Sequence, residues 1–163
     1  MTRLNWGMIG GGEGSQIGPV HRISAGLDGQ FTMAAGALDA APEKGKAFAR
    51  SLGIAPDRCY GDWREMLEGE RNRSDRLDLV TVATPNATHH AITKAFLEAG
   101  INVLCEKPMT VTLAEAEDIA ATARRSGAVC AVNYGYTGYP LVRHMRAMVA
   151  RGDLGKLRLA VVE

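Results

Sequence analysis

The chain has 163 residues, 46% hydrophobic and 23% charged, enough for one well-packed domain and too few for two of ordinary size. Its 19 Lys and Arg against 18 Asp and Glu leave a formal net charge of +1, and only 6% of residues are aromatic, so neither a nucleic-acid nor an anionic-lipid partner is expected. No apolar run approaches membrane-spanning length and Met1–Asn5 carries no signal-peptide core, so the expected setting is cytoplasmic, without a membrane partner.

Strand-like and helix-like runs alternate along the chain. The first strand is expected over Leu4–Ile9, followed by a glycine-rich stretch and a helix with Val20, Ile23 and Leu27 on one face. A second strand over Phe31–Leu38 leads to a helix opened by Pro42 and closed at Gly53, then a short strand near Arg58–Tyr60. Asp62 with Glu65 has capping-box spacing, and Arg71–Arg76 reads as a solvated connection. Strands follow over Leu77–Ala83 and Ile101–Cys105, in which Leu79, Val80, Val82 and the run Val103–Leu104–Cys105 are apolar, as burial on both faces requires. Gly100 ends the helix between them. Thr112 with Glu115 opens another helix, Gly127 closes it, and Ala128–Asn133 forms a further strand. Leu141, Val142, Met145, Met148 and Val149 lie at helical spacing. Gly152–Gly155 then turns into Leu157–Val162, which reads as the first strand of a further domain. The pattern predicts an α/β fold, a doubly wound parallel sheet (Rossmann fold) with helices on both faces. Residues 1–152 are taken as a nucleotide-binding domain and 153–163 as a linker and the start of a truncated second domain. Cys59, Cys105 and Cys130 are scattered, without CxxC spacing or a neighbouring histidine, which points to buried thiols and no metal site.

The chemistry-bearing residues fall where the strands end. Gly10–Gly11–Gly12–Glu13–Gly14–Ser15–Gln16–Ile17–Gly18 joins the first strand to the first helix, where glycines let the backbone approach a pyrophosphate and a helix N-terminus offers free N–H groups. Gly12 and Gly18 are six apart where the common fingerprint has three, so the turn has to bulge around the phosphates. Gly14 lies in that bulge, Ser15 or Gln16 can touch them, and Glu13 is expected to face solvent. Asp39 follows Gly18 by 21 residues, close to the roughly 20 at which an acid reaches the adenosine ribose. It is read equally as a cap of its own turn. A carboxylate there favours NAD over NADP, although Lys44 and Lys46 are near enough to take a phosphate. Thr84, Pro85, Asn86 and His89 follow the Leu77–Ala83 strand, and Thr84 and Asn86 offer short polar groups to a ribose or an amide. Glu106–Lys107–Pro108 ends the next strand. There an ammonium can hold a substrate oxygen and stabilise charge developing on it, against the alternative of an exposed ion pair.

Together Gly10–Gly12, Gly18–Pro19–Val20–His21, Ala83–Asn86, His89 and Glu106–Lys107–Pro108 resemble the Gfo/Idh/MocA family of oxidoreductases, in the right order along the chain. The resemblance implies a Rossmann domain carrying NAD or NADP, followed by an α/β domain that binds substrate and builds homo-oligomers. It implies reversible hydride transfer between nicotinamide and a carbinol of a sugar, cyclitol or related polyol. Carried over, Gly10, Gly12 and Gly18 surround the pyrophosphate and Asp39 meets the adenosine ribose. Thr84, Asn86 and His89 line the nicotinamide side, Glu106 meets the nicotinamide ribose, and Lys107 is the catalytic lysine. Where the family usually has Asn then Arg after the last strand, this chain has Gly135 and Tyr136. Tyr134, Tyr136 and Tyr139 are read as packing residues, the alternative being that they face a sugar ring or the second domain. The general base, usually a histidine of the second domain, is expected outside this chain, and His144 is read as exposed. The alternative is a stand-alone, non-catalytic dinucleotide-binding or interaction module.

Overall fold

Five parallel strands form one sheet in the order β2-β1-β3-β4-β5 in the computed structural model, which describes residues 3–161. The elements are β1 (Leu4–Gly10), α1 (Ile17–Gly26), β2 (Phe31–Ala37), α2 (Pro42–Ser51), α3 (Trp63–Glu70), β3 (Leu79–Ala83), α4 (His89–Glu98), β4 (Asn102–Glu106), α5 (Leu113–Ser126), β5 (Cys130–Asn133) and α6 (Pro140–Arg151). Side chains alternate across β1, so the sheet feeds two cores. Ile9, Val80, Val82 and Val103 pack with Met66 of α3, Phe96 of α4 and Ile119 of α5. Trp6 and Met8 pack with Ala49 of α2, Ile54 and Cys59, and Ala25 of α1 lies against them. The sheet is therefore doubly wound, with every strand C-terminus on one edge.

Local signals set most element ends. Thr112 and Glu115 form the full capping box on α5, and Gly127 closes that helix in the left-handed conformation. Asp62 caps α3 by accepting from Arg64 and Glu65 N–H, while Glu65 reaches back to Gly61 N–H rather than to Asp62.

One expected strand is not formed, and another has no neighbour to pair with among the described residues. Near Arg58–Tyr60 only one parallel bridge exists, Cys59 to Gly36. Pro56 starts a 3-10 turn over Pro56–Arg58, and Arg58 then turns inward to Glu70, leaving no extended run to pair. Residues 157–161 of the expected run Leu157–Val162 are exposed and unpaired; a strand needs a neighbour for its N–H and C=O groups, and among the described residues none adjoins them. Val162 lies outside the described residues.

The chain divides into two compact units after Asn133. The second holds a 3-10 turn (Gly135–Gly138) and α6. The tyrosines read as packing residues are exposed, with Tyr136 and Tyr139 edge to face at 5.4 Å. His144 is exposed. Among the described residues no helix is long and apolar enough to cross a membrane, and no three His, Cys, Asp or Glu side chains converge as a metal site requires.

Within the first unit, Glu70 is fully buried and accepts from Arg58 Nε at 2.9 Å and from Tyr60 Oη at 2.9 Å, tying α3 to the edge beside β2. Removing one partner of a buried ion pair strands the other's charge. Glu70→Leu should therefore lower unfolding free energy by about 3–5 kcal/mol in urea titrations. Glu68→Ala, which touches only exposed Arg71, should stay within about 0.5 kcal/mol of the unmodified protein. Equal midpoints for the two would remove Glu70 from the framework.

Candidate functional site

The chain leaves β1 for β2 on one side and returns to β3 on the other, so the C-terminal ends of β1 and β3 border the crevice where open α/β sheets bind ligands. Gly10 and Ala83 are partners in register at its floor. The glycines here answer a steric demand. A Cβ on Gly10 would sit 2.5 Å from Ala83 O, one on Gly12 would strike Leu38 O, and one on Gly18 would strike Gly11 O. Helix α1 is thus seated directly on the turn, its first turn free of acidic residues. Bare backbone beside a helix N-terminus fits a dinucleotide diphosphate.

The remainder of the turn is organised by its own contacts. Gly14 has φ +79° with open space around it, and Glu13 is exposed, so the extra residues bulge outward. Ser15 Oγ accepts from Gly18 N–H at 3.1 Å, acting as a cap for α1. Arg22, one turn into the helix, donates to Gly11 O at 2.7 Å and clamps the turn from beneath. Beyond β2, Asp39 accepts from Ala41 N–H at 3.0 Å and pairs with Lys44 at 3.1 Å; these contacts hold its carboxyl below the usual carboxylate range. Lys46 lies 3.7 Å from Glu65 instead.

Gln16, Thr84, Asn86, His89, Glu106 and Lys107 border one cleft of about 340 Å³, within the range of small-molecule sites. Gly14, Ser15, Asp39 and Pro85 do not line it. Glu106 is 8% exposed. Its Oε1 lies 2.8 Å from His21 Nε2 and accepts from Asn133 Nδ2 at 2.6 Å, while Oε2 accepts from Lys107 N–H at 3.1 Å. Burial disfavours the charge, but the Asn133 amide, the His21 ring and the Lys107 N–H outweigh it and hold the carboxyl below its ordinary range. Lys107 is exposed, and among the described residues no carboxylate pairs with its ammonium. The exposed ion pair with Glu106 is therefore not formed. His89 is fully buried, with Nε2 2.8 Å from Thr84 O and Nδ1 2.9 Å from Pro108 O. His90, given no role from the sequence, pairs with Asp118 at 2.7 Å.

Sequence reasoning assigned no role to His21, Arg22 or Asn133. One signal for His21 was present: it follows Gly18 by three residues, so both occupy the helix face turned to the sheet. Asn133 is opposite Glu106 in register, a relation only strand pairing reveals.

Gly18→Ala should weaken NAD+ binding roughly tenfold or more, about 1.4 kcal/mol, because α1 must back away from the turn. Gly26→Ala, with open space and an ordinary helical backbone, should leave binding unchanged, and equal affinities for both variants would refute the close-approach argument. For Glu106, a depressed folded pKa contributes stability that is present above the ordinary glutamate value of about 4.3 and is lost as pH falls through the folded value. Urea midpoints of the unmodified protein and Glu106→Gln should differ at pH 7 and converge in acid as pH falls through the lowered folded value. A pH-independent gap would contradict this.

Residues 4–134 match the GFO_IDH_MocA family, described as an oxidoreductase family with an NAD-binding Rossmann fold. An uncharacterised oxidoreductase of Bacillus subtilis (strain 168), YfiI, is 44% identical over 96% of this chain and 40% of its own length. A 1,5-anhydro-D-fructose reductase of Ensifer adhaerens is 30% identical over 93% of this chain and 42% of its own. An inositol dehydrogenase homolog of Azotobacter vinelandii, solved with NADH and myo-inositol, superposes with a TM-score of 0.93 at 48% identity, covering 96% of this chain and 41% of that one. The same homolog solved with NAD+ superposes equally well. The chain thus spans about two fifths of the length of these relatives. It belongs to the Gfo/Idh/MocA oxidoreductase family, of which residues 4–134 carry the NAD-binding Rossmann fold.

Proposed function

We propose that this chain is the cofactor-holding part of a dehydrogenase that moves hydride between a nicotinamide cofactor and a carbinol carbon of a sugar, cyclitol or related polyol. The observation that carries the reading is the Lys107 ammonium, without a carboxylate partner among the described residues, on the same cleft as Thr84, Asn86 and Glu106. Polyol and sugar chemistry is supported by relatives named for myo-inositol, levoglucosan and 1,5-anhydro-D-fructose.

Gly10, Gly12 and Gly18 hold the diphosphate against main chain, with Gln16 at the rim of the cleft. Asp39 accepts from the adenosine ribose hydroxyls, for which a carboxylate has lone pairs beyond those used by Ala41 and Lys44. Glu106 Oε2, engaged so far by one N–H, accepts from the second ribose. When bound, the nicotinamide ring supplies the hydride acceptor or donor. Lys107 Nζ donates to the substrate hydroxyl and stabilises negative charge on that oxygen as its carbon loses hydride. The proton acceptor and most of the substrate pocket are assigned outside this chain, to a second domain of which 153–163 are the linker and start.

NADH should bind more tightly than NADPH in fluorescence titrations, and Asp39→Ala should narrow the gap; tighter NADPH binding by the unmodified protein would overturn the NAD preference. In the product of the full open reading frame, Lys107→Met should lower kcat about 10²–10⁴-fold on a sugar or polyol substrate while leaving cofactor affinity nearly unchanged. Full turnover by that variant would remove Lys107 from the mechanism. Cofactor binding without turnover on any sugar or polyol would favour a non-catalytic binding module.

A further inference from the structure

His89 stands out because it is buried yet belongs to neither core, and its whole polar capacity is spent on main chain. It is the first residue of α4 and has no exposed surface. Nε2 lies 2.8 Å from the carbonyl of Thr84, the residue that opens the Thr84–Asn86 turn. Nδ1 lies 2.9 Å from the carbonyl of Pro108, which directly follows Lys107. Carbonyl oxygens only accept, so the ring is the donor; with a hydrogen on both nitrogens it makes both bonds, and with one it makes one. Charged groups nearby are otherwise engaged: Glu106 by His21 and Asn133, and Asp118 of α5 by His90 and Lys94.

The ring therefore lies as a strut between two turns that the β3–β4 ladder does not connect beyond Val82 and Cys105. Asn86 stands on one turn and Lys107 on the other, and both face the cleft. We propose that His89 is a positioning residue for hydride transfer: its ring, with Nδ1 against the Pro108 carbonyl and Nε2 against the Thr84 carbonyl, sets where the Lys107 ammonium stands relative to the opposite wall. The inference rests on the role given to Lys107 above. It does not make His89 a group that touches substrate.

The two arms can be separated by substitution. Asn places an amide N–H near the position of Nδ1 and keeps the Pro108 arm, Gln places one near Nε2 and keeps the Thr84 arm, and Leu keeps neither. The test measures kcat, KM and cofactor affinity of the full reading-frame product, on whichever sugar or polyol it turns over. His89→Leu is expected to lose about 10²-fold in kcat, the scale of an ångström's misplacement of a catalytic group, with cofactor affinity little changed. His89→Asn should recover most of that loss and His89→Gln little of it. A purely structural role would place Asn and Gln together, and that result overturns the proposal, as does unchanged kcat in His89→Leu. If the Leu variant fails to fold, the Asn and Gln comparison still decides. Full turnover by Lys107→Met would instead overturn the role of Lys107, and no turnover by the unmodified enzyme on any sugar or polyol would overturn both.

Discussion

The first helix can reach the end of the sheet only because residue 18 has no side chain. A Cβ there would occupy the space of the Gly11 carbonyl, and its absence lets α1 sit on the turn with its N-terminus over the strand ends. Two further arrangements depend on this seating. His21, one turn along, comes within 2.8 Å of Glu106, and Arg22 comes within 2.7 Å of the Gly11 carbonyl it clamps. A helix displaced outward would open the glycine turn and release the carboxylate at once.

Charges around the cleft are divided between those satisfied inside the protein and those offered outward. Glu106 is nearly buried, and three donors fix its position and favour its ionised form. With that carboxylate occupied, no carboxylate among the described residues pairs with the Lys107 ammonium. The two histidines flank this lysine. One holds the side chain before it and the other lies against the carbonyl after it. An exposed ammonium on a freely moving loop would bind a hydroxyl without orienting it, whereas one anchored on both sides sits at a defined place.

Much of this was legible in the chain itself. Alternating apolar strands and capped helices announced the doubly wound sheet, because burial on both faces demands largely apolar runs such as Leu79–Ala83, broken only by Thr81, and because Thr112 with Glu115 is a local, self-contained cap. The glycine turn was legible for the same reason: only glycine tolerates main chain so close, and that tolerance is written in residue identity. The strand expected at Arg58–Tyr60 failed, and the described part of Leu157–Val162 is unpaired, because β propensity is realised only beside a neighbour. The first segment has one bridge, and the described part of the second has none.

What the sequence by itself determined was the order of elements, the place of the glycine-rich turn, and the strand-end positions of Thr84, Asn86, Glu106 and Lys107. These follow from hydrophobic period, capping residues and glycine sterics, all of which act over a few residues. Tertiary structure alone decided who touches whom: that Glu106 is shared by His21 and Asn133, and that His89 is buried between Thr84 and Pro108 rather than solvated at a helix start. Those partners lie up to 85 residues apart, and only the parallel register and the seating of α1 bring them within hydrogen-bond reach.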